Sequence, residues 1–410
     1  MINRFKQLIR AVLGKNRSST GAVCPFTGQT SESDRLTEFL ISVNCSKADH
    51  LKQEDLIFFQ EFNIHCAFKY QVVKEILNDK EVFAVSTVHL NLNRLYFSED
   101  EEVHKYNKKM ALKHMPFLAK EFQDSENARV TRMFEILLHS APKDDAFNFV
   151  NIIVRPLLFL NAMDEFGLFE FFPEFDPEGP HFLFETIIPR INGFYDDMDN
   201  LTSMLEDYVE GGGQLPAKLQ DFISDLKVEG EFDDKELVKF LKSTIFATVE
   251  STGSYVTSLV YEAYFRFPDL LNAPELSMDS LQQISNEVLR VHTPVPFIFR
   301  TVGKNAEKFG KLLKTGDLVA VYLGAANMDP SVFENPAEFR LGRPEKHLAF
   351  GRGHLSCIGE SASFRMGLNV IQNLRKKNRF FEIVDSSPQF EFENSMFKIL
   401  KLNVRLYDKS

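Results

Sequence analysis

Tryptophan is absent from this 410-residue chain, and cysteine is scarce. Cys24, Cys45, Cys66 and Cys357 show no CxxC spacing, which excludes a zinc-ribbon site, a covalent CxxCH haem attachment and a dense disulfide framework. Such sparse cysteine usage fits a reducing cytoplasm. Long apolar runs are missing too, so no transmembrane anchor is expected. Excess positive charge is also lacking. A net charge of -11 argues against nucleic acid, whose phosphates require a basic face. Neither repeats nor low-complexity linkers interrupt the chain. Residues 1–35 therefore read as an irregular lead-in and 36–410 as a single domain, although length alone would suggest two or three.

Phenylalanine is abundant instead, with 41 copies. It implies an aromatic interior, most simply as core packing and alternatively as the lining of a cavity. The charge is uneven: residues 346–410 carry 11 Lys/Arg against 6 Asp/Glu. Two readings of that excess stand, a surface that steers an acidic protein partner and an ordinary solvated helix face around Arg375-Lys376-Lys377. Near the start, Ile2, Phe5, Leu8, Ile9, Val12 and Leu13 fall at helical spacing among basic residues, as in an amphipathic helix that docks on its domain or on a surface.

Periodicity predicts a mostly helical chain with small late sheets, an α+β fold class. Helical spacing runs over 53–79, over 128–140 and over 145–162. Ser98 with Glu101 makes a capping box for a helix through Val103, Tyr106, Met110 and Leu112. The acidic, Phe-rich stretch 164–215, broken by prolines and by Gly211-Gly212-Gly213, reads as an irregular, mobile cover over a pocket. Residues 233–267 form one long helix of roughly 50 Å. Between Lys242 and Glu262 its only charge is Glu250, so it runs through the protein's centre. A further helix covers 280–291. Strands are expected at 297–299 and 318–323, and a terminal hairpin pairs 389–393 with 397–407.

The most informative segment is Phe350-Gly351-Arg352-Gly353-His354-Leu355-Ser356-Cys357-Ile358-Gly359. Three glycines bend a loop that delivers Cys357 to the start of a helix over 359–374, where backbone N–H donors and the helix dipole favour a thiolate. Such a sulfur is an anionic ligand for a metal with an open axial site. The segment resembles the haem-ligand signature Phe-Gly-x-Gly-x-x-x-Cys-x-Gly of the cytochrome P450 family. Upstream, Glu287-Val288-Leu289-Arg290 resembles that family's Glu-x-x-Arg, followed by a Pro294-Val295-Pro296 turn and Arg300, with Arg343 matching the downstream arginine. Ala325-Ala326-Asn327-Met328-Asp329-Pro330 and then Phe333, Pro336 and Phe339 follow the family's approach to the cysteine loop, with Met328 where Arg is usual.

The resemblance implies the cytochrome P450 fold, with a long central helix lying over a thiolate-ligated haem b. Cys357 would be the iron ligand, and Phe350, Gly351 and Gly359 would form its loop. Glu287 and Arg290 would be structural. His104 and Lys108 match the family's His-x-x-x-Arg, with Lys for Arg, and with Arg300 they would meet the haem propionates. Leu355 occupies the position two before the cysteine that is usually His or Arg. Either His354, one place early, supplies that contact, or one anchor is missing. Ala247-Thr248-Val249-Glu250-Ser251-Thr252 matches the family's acid–alcohol segment, with Glu250 as acid and Ser251 or, in a shifted register, Thr252 as alcohol.

The implied activity is that of a monooxygenase inserting one oxygen atom from O2 into an apolar small molecule. Electrons would come from a separate ferredoxin or flavodoxin-type donor with its reductase. The departures at Thr248 and Ser251 keep two alternatives open: a peroxygenase, dehydratase or coupling enzyme on the same haem-thiolate centre, and a haem-binding sensor without catalysis. The acid at Glu250 argues against the sensor.

Overall fold

The structure is a computed structural model describing residues 54–86, 100–115, 118, 124–143, 145–211, 215–226, 234–268, 277–376, 379–384, 388, 390–393 and 396–408. The amphipathic segment at 2–13, Cys24, Cys45 and Ser98 lie outside the described residues.

The chain opens on strands β1 (Ile57–Phe59) and β2 (Ile64–Ala67), and only then forms helix α1 (Tyr70–Asn78). This corrects the helix expected from residue 53. The short β-branched and aromatic runs at 57–59 and 64–67 find sheet partners, and pairing overrides their helix-compatible spacing. With β3 (Phe83–Val85), β5 (Ile298–Val302) and β8 (Leu318–Val321) they build a sheet of order β1-β2-β8-β5-β3. β2 lies parallel to β8, with Ile64 opposite Leu318, while β5 runs antiparallel to β8 and β3.

Helix α2 (Glu101–His114) starts at Asp100, whose carboxylate accepts the N–H groups of Glu102 and Val103 at 2.9 and 3.2 Å. Its N-cap is therefore Asp100 and not Ser98. Helix α3 (Asp124–Ser140) follows, then β4 (Phe147–Asn148), a π-helical turn over Val150–Val154 and α4 (Arg155–Glu165). The helix expected from 145 is delayed because Phe149 N–H bonds the Leu402 carbonyl at 2.8 Å, tying this stretch to the C-terminal sheet.

The cover expected to be irregular at 164–215 is largely helical. After 3-10 turns at Leu168–Glu170 and Pro173–Phe175, helices α5 (Phe184–Asp196) and α6 (Met198–Glu210) run almost head to tail. Pro189 is accommodated inside α5, whose Ile187, Ile188, Ile191, Phe194 and Tyr195 are buried, so packing outweighs the lost hydrogen bond. Asp197 caps α6 by accepting from Asp199 N–H at 3.0 Å.

Helix α7 (Ala217–Asp225) precedes the 33-residue α8 (Asp234–Arg266), which stops just before Phe267-Pro268. α8 is the axis of the molecule and packs against α4, α6, strand β11 (Met396–Ile399) and the later helices α9 (Met278–Val291) and α11 (Glu360–Lys376). Gly253 brings it near Leu158 of α4. Gly367 of α11 approaches so closely that a β-carbon there would sit 2.7 Å from the Tyr255 ring. A β6–β7 hairpin (Ala306–Lys308, Lys311–Leu313) and the short α10 (Leu323–Ala326) complete the middle of the chain.

The C-terminal hairpin is smaller than expected. β10 (Phe390–Glu393) pairs with β11 (Met396–Ile399), but the chain breaks at 400–402 and β12 (Asn403–Asp408) joins β9 (Arg379–Ile383) and β4 instead. Buried Leu402, whose carbonyl receives Phe149, makes that break. Many of the described phenylalanines pack with one another, as Phe159 does with Phe175 and Phe194, so core packing accounts for part of their abundance.

Candidate functional site

Between Leu348 and Gly359 the chain folds into a loop closed by its own backbone. Gly351 N–H donates to Leu348 O at 2.8 Å, and Cys357 N–H donates to Phe350 O at 2.9 Å. Gly351 and Gly353 take φ of 67° and 73°, the left-handed region that glycine enters freely. A β-carbon on Gly353 would also lie 2.7 Å from Leu77 O, so the end of α1 fixes the loop. Cys357 emerges with an accessible side chain although protein surrounds it. Burial pushes its thiol pKa up, while the N–H groups of Gly359 and Glu360 at the start of α11, and the charge of Lys108, pull it back. Burial outweighs the helix terminus for the bare thiol, and a cation on Sγ reverses that balance.

The anion-seeking residues converge on this loop. Arg300 is 3% exposed, and its Nη1 donates to Phe299 O at 2.9 Å. Burial alone pulls its pKa down to about 10, and no carboxylate is paired with it among the described residues. A buried guanidinium without an anion is costly. His354 lies near it: burial lowers its pKa first, then the charges of His104 and Arg300. His104 Nε2 stands 3.2 Å from His354 O, and the two rings meet edge to face at 6.2 Å. Lys108 Nζ donates to Ser356 O at 2.8 Å, immediately before the cysteine. Arg300, His104 and His354 thus gather positive and donor groups beside Cys357, an arrangement that fits a dianionic, metal-bearing macrocycle.

Below the loop, Glu287 and Arg290 form a bidentate pair at 2.7 and 2.8 Å, both buried. Arg290 further donates to Asn327 O and Glu338 O, and Arg343 Nε reaches Glu287 at 3.1 Å while its Nη atoms hold the carbonyls of Glu334, Asn335 and Glu338. Burial tends to raise the Glu287 pKa, but hydrogen bonds from Arg290, the Arg340 backbone N–H and Arg343 outweigh it and hold it below the ordinary carboxylate value. Asn327 extends the brace, accepting Leu348 N–H at 2.7 Å and donating to Thr293 at 2.8 Å.

Across from the loop stands the middle of α8. Thr252 is buried, and its hydroxyl meets that of Ser363 in α11 at 2.9 Å. Ser251 is accessible, on the same face as exposed Ala247, to whose carbonyl its hydroxyl donates at 2.6 Å. Glu250 is buried on another flank, where its carboxylate pairs with Lys398 of β11 and lies 3.8 Å from Arg155 of α4. Sequence reasoning missed Lys398 and Arg155. Each is an isolated basic residue in an apolar stretch, and nothing local indicates which distant carboxylate it meets.

Among the described residues no cluster of three or more His, Cys, Asp and Glu could hold a metal ion, and no helix is long and apolar enough to cross a membrane. Among the described residues Cys357 is the one accessible cysteine, and its glycine-bent loop, the braced Glu–Arg pair and the central helix together fit a haem-thiolate centre.

The Cytochrome P450 family pattern matches residues 276–399. Cytochrome P450(BM-1) of Priestia megaterium is 25% identical over 376 residues, covering 84% of this chain and 88% of that protein. Cytochrome P450(MEG) of the same organism is 31% identical over 182 residues, 43% of this chain and 44% of that one. Solved structures share the fold. The hydroxylase HmtN of himastatin biosynthesis matches with a TM-score of 0.66 at 20% identity, over 86% of this chain and 94% of that one. CYP109E1 from Bacillus megaterium in complex with testosterone matches with a TM-score of 0.64 at 20% identity, over 87% and 97%. The chain is thus similar along most of its length to bacterial cytochrome P450 proteins, and its C-terminal third matches the model of that haem-binding monooxygenase family.

Proposed function

We propose that this chain is a cytochrome P450 monooxygenase that holds haem b and inserts one oxygen atom from O2 into an apolar small molecule, using electrons from a separate ferredoxin or flavodoxin-type donor with its reductase. The observation that carries this reading is the Thr252–Ser363 hydroxyl contact, which pins the middle of α8 to the early part of the helix that Cys357 opens. With Thr252 turned toward α11, accessible Ser251 and Ala247 are left on a different face of α8, which this reading assigns to the haem side. Bound haem supplies the oxygen-activating chemistry. Cys357 Sγ holds the iron, and Arg300, His104 and His354 receive the propionates, with Lys108 bracing the loop at Ser356. Ser251 presents the relay hydroxyl, because Thr252 is turned into α11. Glu250 supplies protons from behind it. Apolar specificity is supported by the testosterone complex of one structural relative. The 11-to-6 excess of basic residues over 346–410 suits an acidic donor protein. We also place the protein in the cytoplasm, as a single domain after an N-terminal lead-in.

One observation favours the peroxygenase-type alternative. Glu250 is held by Lys398 and Arg155, and as a sequence neighbour of Ser251 it does not share its helix face. Turnover with the electron donor system decides between them. The proposal expects Glu250→Gln to keep haem and substrate binding while product formation falls by about 10²–10⁴-fold. Unchanged donor-driven rate and coupling in that variant, with efficient peroxide-driven turnover, would favour the alternative.

A further inference from the structure

We propose that the groove between the 3-10 turns at 168–175 and helices α5 and α6 is a second binding site, for a small organic cation such as a quaternary ammonium or protonated amine bearing an apolar group. A cavity of about 670 Å³ opens there, a size common among small-molecule sites. Three aromatic side chains line it among polar ones. The Phe172 and Tyr208 rings stand 5.5 Å apart, and buried Phe194 and Met204 also line it. Ring faces attract cations through their quadrupole, and the methionine sulfur is polarizable.

Charge selects the ligand's sign. Glu174 and Asp207 line the groove, and its one basic residue, Arg190, is already engaged. Arg190 Nη1 donates to Glu174 at 3.0 Å, and its guanidinium lies over Phe175 at 4.8 Å and Phe194 at 5.7 Å. Asp207 makes no ion pair among the described residues, which leaves its charge facing solvent and groove. Residues 164–210 contain 13 Asp/Glu with Arg190 as the one Lys or Arg, and although Arg129, Arg132 and Lys242 pair with Asp164, Glu165, Glu178 and Asp199, the remaining excess keeps the surrounding field negative. An anion is repelled here, and a neutral apolar molecule forgoes the electrostatic attraction.

The space is built into the helix. A β-carbon on Gly193, within α5, would meet nothing within 4 Å, although helix propensity disfavours glycine at such a position. The other sides of α5 and α6 carry Ile187, Ile191, Leu201 and Leu205 into the core, so the groove is distinct from the space beside Cys357.

The test uses the haem-loaded full chain at low ionic strength. Benzyltrimethylammonium, and the neutral analogue with carbon in place of nitrogen, are titrated calorimetrically while the Soret band is recorded. The proposal expects one saturable site for the cation, at least about fivefold weaker binding of the neutral analogue, and no Soret change. Gly193→Met, whose β-carbon meets no neighbour and whose longer side chain occupies the groove, abolishes binding, and Asp207→Asn weakens it severalfold. Equal affinity for the two probes, undiminished binding to Gly193→Met, or competition with an azole bound at the iron overturns the proposal. Should Gly193→Met fail to load haem, Asp207→Asn decides, and parental affinity in that variant is equally fatal.

Discussion

Single side chains carry the division of labour on α8. Ser251 and Thr252 are adjacent, yet one faces the accessible side with Ala247 and the other is locked against Ser363. Ser251→Ala is therefore expected to uncouple turnover, with less product per reducing equivalent and little change in melting temperature. Thr252→Ala is expected to keep coupling and to destabilise the protein by about 1 kcal/mol, the scale of a lost hydroxyl pair. The reverse pattern in a coupling assay would move the relay alcohol to Thr252. Cys357, Glu287 and Arg290 were readable in the sequence because glycines and fixed spacing mark them. The surroundings of Glu250 were not readable, because Lys398 lies 148 positions away and reaches it only through the hairpin's packing on α8. Distance along the chain hides such a partner.

At the scale of elements, two glycines decide how closely helices approach the site. Gly367→Ala would drive a β-carbon into Tyr255 and Leu259, at 2.7 and 2.9 Å, where the buried tyrosine has little room to move. Overpacking of this kind costs about 1–3 kcal/mol. A drop in thermal midpoint accompanied by weaker haem retention is the expected result, and a midpoint equal to the parent's would show that α8 and α11 are not in close contact. The long helix, the cysteine helix and the helix before the proline turn were legible because each keeps its period over many residues. Strands β1 and β2 were not, since their three- and four-residue runs fit helical spacing until β8 pairs with them. Helices α5 and α6 were masked by prolines that the core tolerates, Pro189 above all.

The whole molecule inherits a pH dependence from its buried brace. Glu287 has a folded pKa below its ordinary 4.5, so its stabilising contribution is complete above that value and is lost as pH falls through the lowered one. His347 acts earlier. Burial, then the charge of Arg352, holds its pKa down at about 4 instead of 6.5, so between those values the unfolded chain binds a proton that the folded chain does not. Stability should therefore decline gently from about pH 6.5 and steeply below about 4.5. Chemical denaturation across pH checks this. His347→Gln should remove part of the gentle phase. Glu287→Gln should be destabilised by about 3–5 kcal/mol at pH 7, because Arg290 and Arg343 lose a buried carboxylate, and its deficit should narrow in acid. A deficit independent of pH would mean the brace is not ionic.

The central claim is that Cys357 holds the haem iron, and the spectrum of the reduced protein under carbon monoxide tests it most directly. The parent protein is expected to show the red-shifted Soret band of a thiolate opposite the gas. Cys66→Ser should leave that band intact, since Cys66 is buried beside Tyr322 in the sheet. Cys357→Ser should lose it while the chain remains folded. A histidine-type band in well-folded parent protein, or a thiolate band that survives Cys357→Ser, would contradict the account.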